Sequence, residues 1–586
     1  MNALARASAL PAPGGPLPAR GVVAGAWRGL RSLFAPSPAP RVLTTAQLIN
    51  QQEALQASLV AAMNEAGEQV APQWRQAFAA RAAAMVSDVV ADSMYPVHSA
   101  MIRSRAHTVD WALFQAAAQR AGQWVQRHRK VALSMQPMWD PAPHLQRLAS
   151  GRILVLRAAP AIESLVLAGG GVRGVANAPA LRALDNLGLL PALKQVVGSS
   201  AGAMTAVLLA AGVSPKEFQQ LLNGTDVISL LTTPADFARN YPGVRFASLG
   251  FDAGAVVQTL DRMVALSAAR YLDGHWAQIT RQPQWARFTA AQQQRLDLLR
   301  RPDFSAPRTG LMLTFGDLQL LHQLDPARFK ALVVTGWNQS DKRLAYFCEQ
   351  TRPDMPLALA GRISMGIPGL FADVKIAQQG QVKRWSDGGV GSNLPSEVVF
   401  RGLGGQALQE AHARTLVMAF VDEGRTHAAM HGPPGPYLPA VNPVVTLLSG
   451  NPQFPQAVHA DQRKLHAAGL HVMPVAHGDL GVASFLAGAD RVARAKTEAL
   501  DQALVFIAQN RHNFRHDLVD DVQAAAQLLS PAEQDAFLAR PQGSVTLLDT
   551  DLRAAILAQR TAPGADAAQR AAALDWARRD AMRAAT

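Results

Sequence analysis

The stretch that decides the fold covers residues 164–212 and reads SLVLAGGGVRGVANAPALRALDNLGLLPALKQVVGSSAGAMTAVLLAAG. Two short apolar runs lie in it, at residues 165–168 and 196–197, and each ends abruptly in a turn of glycines and small residues. Segments of helical character follow the turns. The pattern predicts two successive units of buried strand, glycine turn and helix.

The second turn, GSSAG at residues 198–202, has the spacing of a nucleophile elbow. The central serine of such a turn lies between a strand and a helix, and a side chain at Gly198 or Gly202 would clash. This geometry would expose Ser200 Oγ at the edge of a sheet, beside a helix N-terminus whose partial positive charge favours a developing anion. We therefore interpret Ser200 as a nucleophile.

The first turn, Gly169-Gly170-Gly171, offers the other requirement of acyl transfer. Successive glycines leave backbone N–H groups bare, and such groups can stabilise the oxyanion of a tetrahedral intermediate. The two turns together indicate the acyl-transfer centre of a hydrolase.

A serine nucleophile needs a base to take its proton. The best candidate is Asp387 in WSDGGV (385–390), where Gly388 and Gly389 allow a close backbone approach. An isolated Asp-Gly pair is more often a plain turn. We favour the catalytic interpretation because all three motifs occur in one chain.

Composition limits the classes of function. The chain has 586 residues, 49% of them apolar, which suits two or three domains with a large interior. Its formal net charge of +13 favours anionic partners. Because no RNA-binding motif of basic and aromatic residues and no zinc-ligand spacing occur, we expect a phospholipid membrane as the partner, no nucleic acid and no metal. Cys348 is the only cysteine, so no intramolecular disulfide can form.

Local patterns divide the chain into four regions. We predict a disordered basic arm at residues 1–42, a helical N-terminal region at 43–150, an α/β layered domain at 151–510 and a small helical C-terminal region at 511–586. Aromatic residues at helical spacing, such as Phe114 and Trp124, predict helix packing in the N-terminal region. The arm is a candidate secretion leader. We expect no transmembrane helix and no cleavable signal peptide, since prolines interrupt the apolar residues near the N-terminus.

Residues 225–310 lack clean strands and interleave aromatic residues with arginines, which predicts an insertion that caps Ser200. Two interpretations fit this composition. Aromatic rings and arginines suit a bilayer interface, where the rings lie at headgroup level and the arginines meet phosphates. A buried cap core with solvated arginines explains the same residues.

The three motifs in this order resemble those of the patatin-like phospholipases. The matching blocks are GGGVRG (169–174), GSSAG (198–202) and DGG (387–389), supported by ISMGIPGLF (363–371) and NLP (393–395). The resemblance covers roughly residues 160–510. It implies a three-layer α/β/α domain with a central, mainly parallel sheet, flanked by the helical N-terminal and C-terminal regions.

The resemblance also implies roles for the site residues. Ser200 would attack an ester carbonyl and Asp387 would act as the base, without a histidine. The glycine loop, residues 169–174, would form the oxyanion hole; its residues are Gly169, Gly170, Gly171, Val172, Arg173 and Gly174. The N–H groups of Gly170, Gly171 and Val172 would donate to the oxyanion. Arg173 would stabilise the conformation of the loop. Phospholipase A2 or lysophospholipase activity would release fatty acid without calcium or an organic cofactor.

Within the family, the chain looks like the type III secreted bacterial phospholipases. This resemblance implies delivery into a host cell, activation by ubiquitin, assistance from anionic phosphoinositides at the membrane and a secretion chaperone. Those effectors carry a longer C-terminal membrane-binding region than residues 511–586 provide. We therefore expect membrane docking in the cap or in the basic arm.

Three alternatives stay open. An α/β-hydrolase with a Ser–His–Asp triad needs a late histidine, and the candidates are His412, His427, His431, His459, His466, His471 and His477. An acyltransferase would use the same scaffold with a lipid alcohol as acceptor. A catalytically silent membrane-binding effector is disfavoured, because Ser200, Asp387 and the glycine turn are all present.

Overall fold

A computed structural model describes most of the chain from residue 42 onward. The described residues are 42–67, 75–104, 107–134, 142–157, 161–186, 188–225, 227–247, 250–378, 380–420, 443–465, 471–510, 515–539 and 546–562. The predicted basic arm lies outside this part except for Val42, and so do His427, His431 and His466.

The N-terminal region is helical. Strands β1 (Val42–Thr44) and β2 (Thr108–Asp110) pair antiparallel, and the helices of this region are Thr45–Gly67, Arg75–Ser93, Tyr95–Ser104 and Trp111–Ser134. Leu55, Leu59, Phe114 and Trp124 are fully buried in one hydrophobic cluster. The predicted packing role of Phe114 and Trp124 is confirmed.

Nine of the described strands form one central sheet. Its order is β13-β12-β5-β6-β8-β11-β10-β7, and β9 pairs with β8 on the edge opposite β11. The strands are β5 (Ser164–Leu167), β6 (Gln195–Gly198), β7 (Arg245–Phe246), β8 (Ala331–Asn338), β9 (Arg343–Phe347), β10 (Val374–Gln378), β11 (Gln381–Asp387), β12 (Thr415–Ala419) and β13 (His471–Pro474). The five strands from β13 to β8 run parallel, and β7, β9, β10 and β11 pair antiparallel. The predicted α/β fold with a mainly parallel central sheet is confirmed.

Alternating side chains of the sheet enter two separate apolar layers. Leu165 and Leu167 join the large cluster with Val207 of the helix Ala201–Ala210, whereas Val166 joins a second cluster on the opposite face. The other helices from residue 177 to residue 510 are Asn177–Asn186, Pro215–Gly224, Phe237–Asn240, Gly254–Ile279, Ala290–Arg300, Phe315–Leu324, Leu357–Ser364, Glu397–Phe400, Gly405–Ala413, Pro443–Ser449, Phe454–Lys464 and Ala489–Asn510.

The segment predicted as a cap is mostly helical. Of its aromatic residues, Tyr241, Tyr271 and Phe288 are buried, Phe246, Trp276 and Trp285 are half-buried, and Phe251 is exposed. Arg262 and Arg281 are exposed. This pattern favours a buried core with solvated arginines over an aromatic membrane surface. The segment also contains β7, which extends the antiparallel edge of the central sheet.

A second, three-stranded sheet joins the segment that precedes the central sheet to the C-terminal region. Strand β4 (Ile153–Arg157) pairs antiparallel with both β3 (His144–Arg147) and β14 (Arg515–Val519). The helices Val522–Leu528, Pro531–Leu538 and Leu547–Thr561 share a separate hydrophobic cluster with this sheet. The sheet thus crosses the domain boundaries predicted at residues 150 and 510. Local sequence patterns could not reveal it, because the paired strands are far apart in the chain.

Buried polar residues bind the N-terminal region to the α/β domain. Lys496 Nζ lies 3.9 Å from the centre of the Tyr95 ring and donates to Asn223 Oδ1 at 2.7 Å. The Gln219 side chain donates to Asp92 of the N-terminal region. Lys496 and Asp92 are both fully buried, so each group depends on its polar neighbours for stabilisation.

Candidate active site

Ser200 lies in a strained turn between β6 and the helix Ala201–Ala210. Its backbone has φ 53° and ψ −126°, and its N–H donates to Ser364 Oγ at 2.9 Å. A Cβ atom at Gly198 would collide with the Gly202 carbonyl, and one at Gly202 would collide with the Leu167 carbonyl. The local sequence thus permits the tight approach of strand and helix that a nucleophile elbow requires.

Asp387 lies at the end of β11, beside Ser200. Ser200 Oγ donates to Asp387 Oδ2 at 2.7 Å, and the Gly389 N–H donates to Asp387 Oδ1 at 2.7 Å. A Cβ at Gly388 would overlap the Thr335 side chain, so glycine there lets β11 end close to β8. The structure therefore brings together the two residues that the motifs proposed as nucleophile and base.

Both side chains are buried, which differs from the expected exposure of Ser200 Oγ. Ser200 and Asp387 are each only 4% exposed, and Ser200 opens into cavities rather than bulk solvent. Burial raises the pKa of the Asp387 carboxyl to about 7, although the hydrogen bonds from Ser200 and Gly389 and the charge of Arg362 act to lower it. A carboxylate with such a pKa is well matched to accept a proton near neutral pH.

Arg362 is a buried cation whose charge lowers the pKa of Asp387. The sequence motifs did not point to it. It belongs to the helix Leu357–Ser364 and donates to the carbonyls of Asp252, Phe251 and Ala372 at 2.9, 3.1 and 2.9 Å. Burial lowers its pKa to about 10, which leaves it charged at neutral pH. Its position in an apolar helix gave no sign of this role.

The glycine loop presents two free backbone donors beside Ser200. Gly169 N–H donates to the Asn393 carbonyl, Val172 N–H donates to the Val482 carbonyl and Arg173 N–H donates to the Gly170 carbonyl, at 3.0, 3.0 and 3.2 Å. Neither the Gly170 N–H nor the Gly171 N–H donates a backbone hydrogen bond to another described residue.

The predicted set of oxyanion donors is therefore corrected at Val172, because the Val482 carbonyl already occupies its N–H group. Gly169 and Arg173 also offer no free N–H. Arg173 acts instead through its side chain, whose Nε donates to the Leu480 carbonyl at 3.0 Å. Gly174 lies against the helix after the elbow, where a Cβ would meet the Ala201 side chain.

Asn393 and Asp461 fix the glycine loop. Asn393 Nδ2 donates to the Gly169 carbonyl at 3.0 Å, which complements the reverse bond from the Gly169 N–H. The Asn393 N–H in turn donates to Asp461 Oδ2 at 2.7 Å, and Lys464 Nζ donates to Asp461 Oδ1 at 2.8 Å. Asn393 lies in the NLP segment noted in the sequence, but no motif pointed to Asp461.

Two cavities meet at Ser200. The narrow one has a volume of ≈ 90 Å³ and is lined almost only by apolar side chains, among them Met204, Phe218 and Val256. The larger one offers ≈ 660 Å³ and adjoins Asp387 and Asn393. The nucleophile thus separates an apolar compartment from a more polar one.

No histidine in the described part of the chain lines either cavity. His477 is buried near the Phe420 ring, and His412 packs against the Phe400 ring. His427, His431 and His466 lie outside the described residues. Within the described ranges, no group of three or more His, Cys, Asp or Glu side chains is arranged to hold a metal ion.

Comparison with known proteins identifies the domain. Residues 165–400 match the family model "Patatin-like phospholipase". The chain therefore contains a patatin-like phospholipase domain, as its motifs predicted. A search of curated protein sequences finds no match.

A search of solved structures finds chains that are similar to this one. VipD from Legionella pneumophila is 20% identical, with 65% of this chain and 72% of that chain covered and a TM-score of 0.43. ExoU in its heterodimeric complex with SpcU, from the type III secretion system of Pseudomonas aeruginosa, is 20% identical, with 68% and 61% covered and a TM-score of 0.38. The type III effector ExoU in another crystal structure is 20% identical, with 76% and 67% covered and a TM-score of 0.38.

Proposed function

We propose that the protein is a serine phospholipase A with lysophospholipase activity that uses a Ser200–Asp387 dyad. The observation that carries this proposal is the 2.7 Å hydrogen bond from Ser200 Oγ to Asp387 Oδ2 within a patatin-like phospholipase domain. The intact elbow and the two free N–H groups of the glycine loop support it.

The dyad accounts for both halves of ester hydrolysis. Asp387 takes the Ser200 proton as Oγ attacks the ester carbonyl, and the resulting oxyanion accepts hydrogen bonds from the Gly170 and Gly171 N–H groups. The tetrahedral intermediate collapses to an acyl-serine, and Asp387 passes its proton to the departing lysophospholipid oxygen. Asp387 then takes a proton from water as the water oxygen attacks the acyl-serine carbonyl, the bond between that carbon and Ser200 Oγ breaks to release the fatty acid, and Asp387 returns the proton to Ser200 Oγ.

The two cavities suggest how a phospholipid would lie. The narrow, apolar cavity suits the scissile acyl chain, because burial of each methylene contributes about 0.8 kcal/mol. The larger cavity suits the glycerol and headgroup. This arrangement keeps the ester carbonyl between Ser200 Oγ and the glycine loop.

We propose further, from the resemblance of the motifs, that the enzyme is a secreted bacterial effector that acts on host membranes. Ubiquitin as activator, anionic phosphoinositides as membrane ligands and a secretion chaperone belong to this part of the proposal. In the described ranges, no helix is both long enough and apolar enough to span a bilayer.

The test is fatty-acid release from phospholipid vesicles, with and without ubiquitin, by the wild type, Ser200→Ala and Asp387→Asn. We expect each variant to lose about ten-thousandfold or more in kcat. Ser199→Ala is the matched control, because Ser199 Oγ donates to the Ser392 carbonyl at 3.0 Å and not to Asp387. Equal release by wild type and Ser200→Ala would refute the dyad, and indifference to ubiquitin would refute only the proposed activator.

The triad alternative needs a separate set of variants. Alanine replacement of each late histidine, including the three outside the described residues, is expected to leave hydrolysis intact. A loss as large as that of Ser200→Ala at any one of them would instead favour the triad.

A further inference from the structure

Large apolar side chains are exposed around the entrance to the two cavities. We use the name mouth surface for six such residues in the described part of the chain: Ile228, Phe251, Leu447, Leu448, Val482 and Leu486. Leu447 is 80% exposed and Leu486 is 83% exposed. Exposure of this extent is costly in water and usually marks a surface that another apolar body covers.

Contacts connect the mouth surface directly to the site. Leu448 and Val482 line the larger cavity. The Phe251 N–H donates to the Leu370 carbonyl at 2.9 Å, next to Phe371. Phe371 lines the narrow cavity together with Phe485, the neighbour of Leu486, and the two rings lie 5.9 Å apart.

Four segments that contain or adjoin residues of the mouth surface have no charged residue. They are VISLL (227–231), MGIPGLF (365–371), PVVTLLS (443–449) and GVASFLAG (481–488). Since 17% of the chain is charged, about four or five charges would be expected in segments of this combined length at average composition. These four segments are therefore uncharged although several of their side chains lie on the surface, and the segment of Phe251 adds one charged residue, Asp252.

We propose that the mouth surface docks on a phospholipid bilayer, so that a lipid passes from the membrane into the cavities without crossing water. The inference rests on the proposed function, which requires a substrate that resides in a bilayer. When the apolar mouth surface is inserted into a bilayer, the apolar cavity behind it becomes continuous with the hydrocarbon layer. The net charge of +13 adds a long-range attraction to anionic headgroups. Docking thus lies at the entrance, to which Ile228 and Phe251 of the predicted cap segment contribute.

The test is cosedimentation of the full chain with vesicles of four parts phosphatidylcholine to one part phosphatidylserine. The proteins carry Ser200→Ala, so that binding is measured without hydrolysis. We expect Leu447→Ser and Leu486→Ser each to weaken binding about tenfold, and the double variant about a hundredfold, since removal of about 1.4 kcal/mol of apolar insertion is tenfold. Leu547→Ser is the matched control, because Leu547 is 86% exposed but lies in the small C-terminal unit.

Failure of docking and failure of the proposed function are distinguishable. Hydrolysis of a water-soluble short-chain ester reports on the dyad alone, and the double variant with Ser200 intact is expected to retain it because neither leucine lines a cavity. Wild-type binding by the double variant, or no vesicle binding by the parent, would overturn the docking proposal. A change in oligomeric state of the double variant on size-exclusion chromatography would overturn it in favour of a contact between two copies. Vesicle binding without hydrolysis of either substrate would overturn the function alone.

Discussion

The buried base predicts that activity and stability respond to pH in opposite directions. The folded state raises the pKa of Asp387 from 3.8 to about 7, so the native protein holds this proton more tightly than the unfolded chain does. The contribution to stability is fully present below about pH 4 and is lost as the pH rises to 7. A shift of about 3 pKa units corresponds to about 4 kcal/mol, at 1.36 kcal/mol for each unit.

The substitution Asp387→Asn isolates the contribution of this carboxyl to the free energy of unfolding, because the asparagine side chain has no charge to bury. We expect the free energy of unfolding of the variant minus that of the wild type to increase by about 4 kcal/mol between pH 4 and pH 8. Urea unfolding of both proteins across this range measures the difference. Other titrating groups are common to the two proteins, so they cancel in it.

The rate of hydrolysis is expected to change with pH in the opposite direction to stability. General-base catalysis requires the ionised carboxylate, so kcat/KM of the wild type is expected to rise with a midpoint near pH 7. The soluble ester substrate is preferred, because its hydrolysis does not depend on membrane binding. A stability difference that stays constant from pH 4 to pH 8, or a flat rate profile from pH 5 to pH 8, would refute the reasoning.

Two further predictions concern the glycine loop and the domain interface. Gly171 has φ +58°, and a Cβ there would collide with the Val482 carbonyl. Gly171→Ala is therefore expected to displace an oxyanion donor and to lower kcat about a hundredfold. Unchanged fatty-acid release by this variant would contradict the role of the Gly171 N–H. Lys496→Met leaves Asp92 buried without its cation and is expected to lower the free energy of unfolding by about 3 kcal/mol at pH 8. Urea unfolding measures the loss, and the double variant with Asp92→Asn is expected to recover part of it.

The sequence could predict the pair of motifs that meet at the site because backbone constraints mark them. Glycines at residues 198 and 202 have no room for a Cβ, and such residues form a spacing that can be recognised. Asp387 could be proposed because it precedes two glycines of the same kind. In both cases a local rule limited the choice of residue.

The remaining parts of the site depend on tertiary contacts and could not be read from the sequence. The Val172 N–H was predicted as an oxyanion donor, but a carbonyl more than 300 residues away, at Val482, accepts from it. Asp461 contributes to the glycine loop by accepting the hydrogen bond of the Asn393 N–H. The pairing of β4 with β14 likewise connects distant segments, so the domain divisions could not be placed from local patterns.

The helix Leu357–Ser364 connects the dyad to the entrance. Ser364, its last residue, accepts the hydrogen bond that fixes the Ser200 N–H, and Arg362 opposes the effect of burial on Asp387. The same Arg362 side chain donates to the carbonyl of Phe251, a residue of the mouth surface, and to that of Ala372. The elements that orient the nucleophile, adjust the base and present an apolar rim are therefore one packed unit. The charge of Arg362 lies inside an otherwise apolar region and lowers the pKa of Asp387. The site can therefore be apolar enough to accept an acyl chain while the carboxyl of its base stays ionisable.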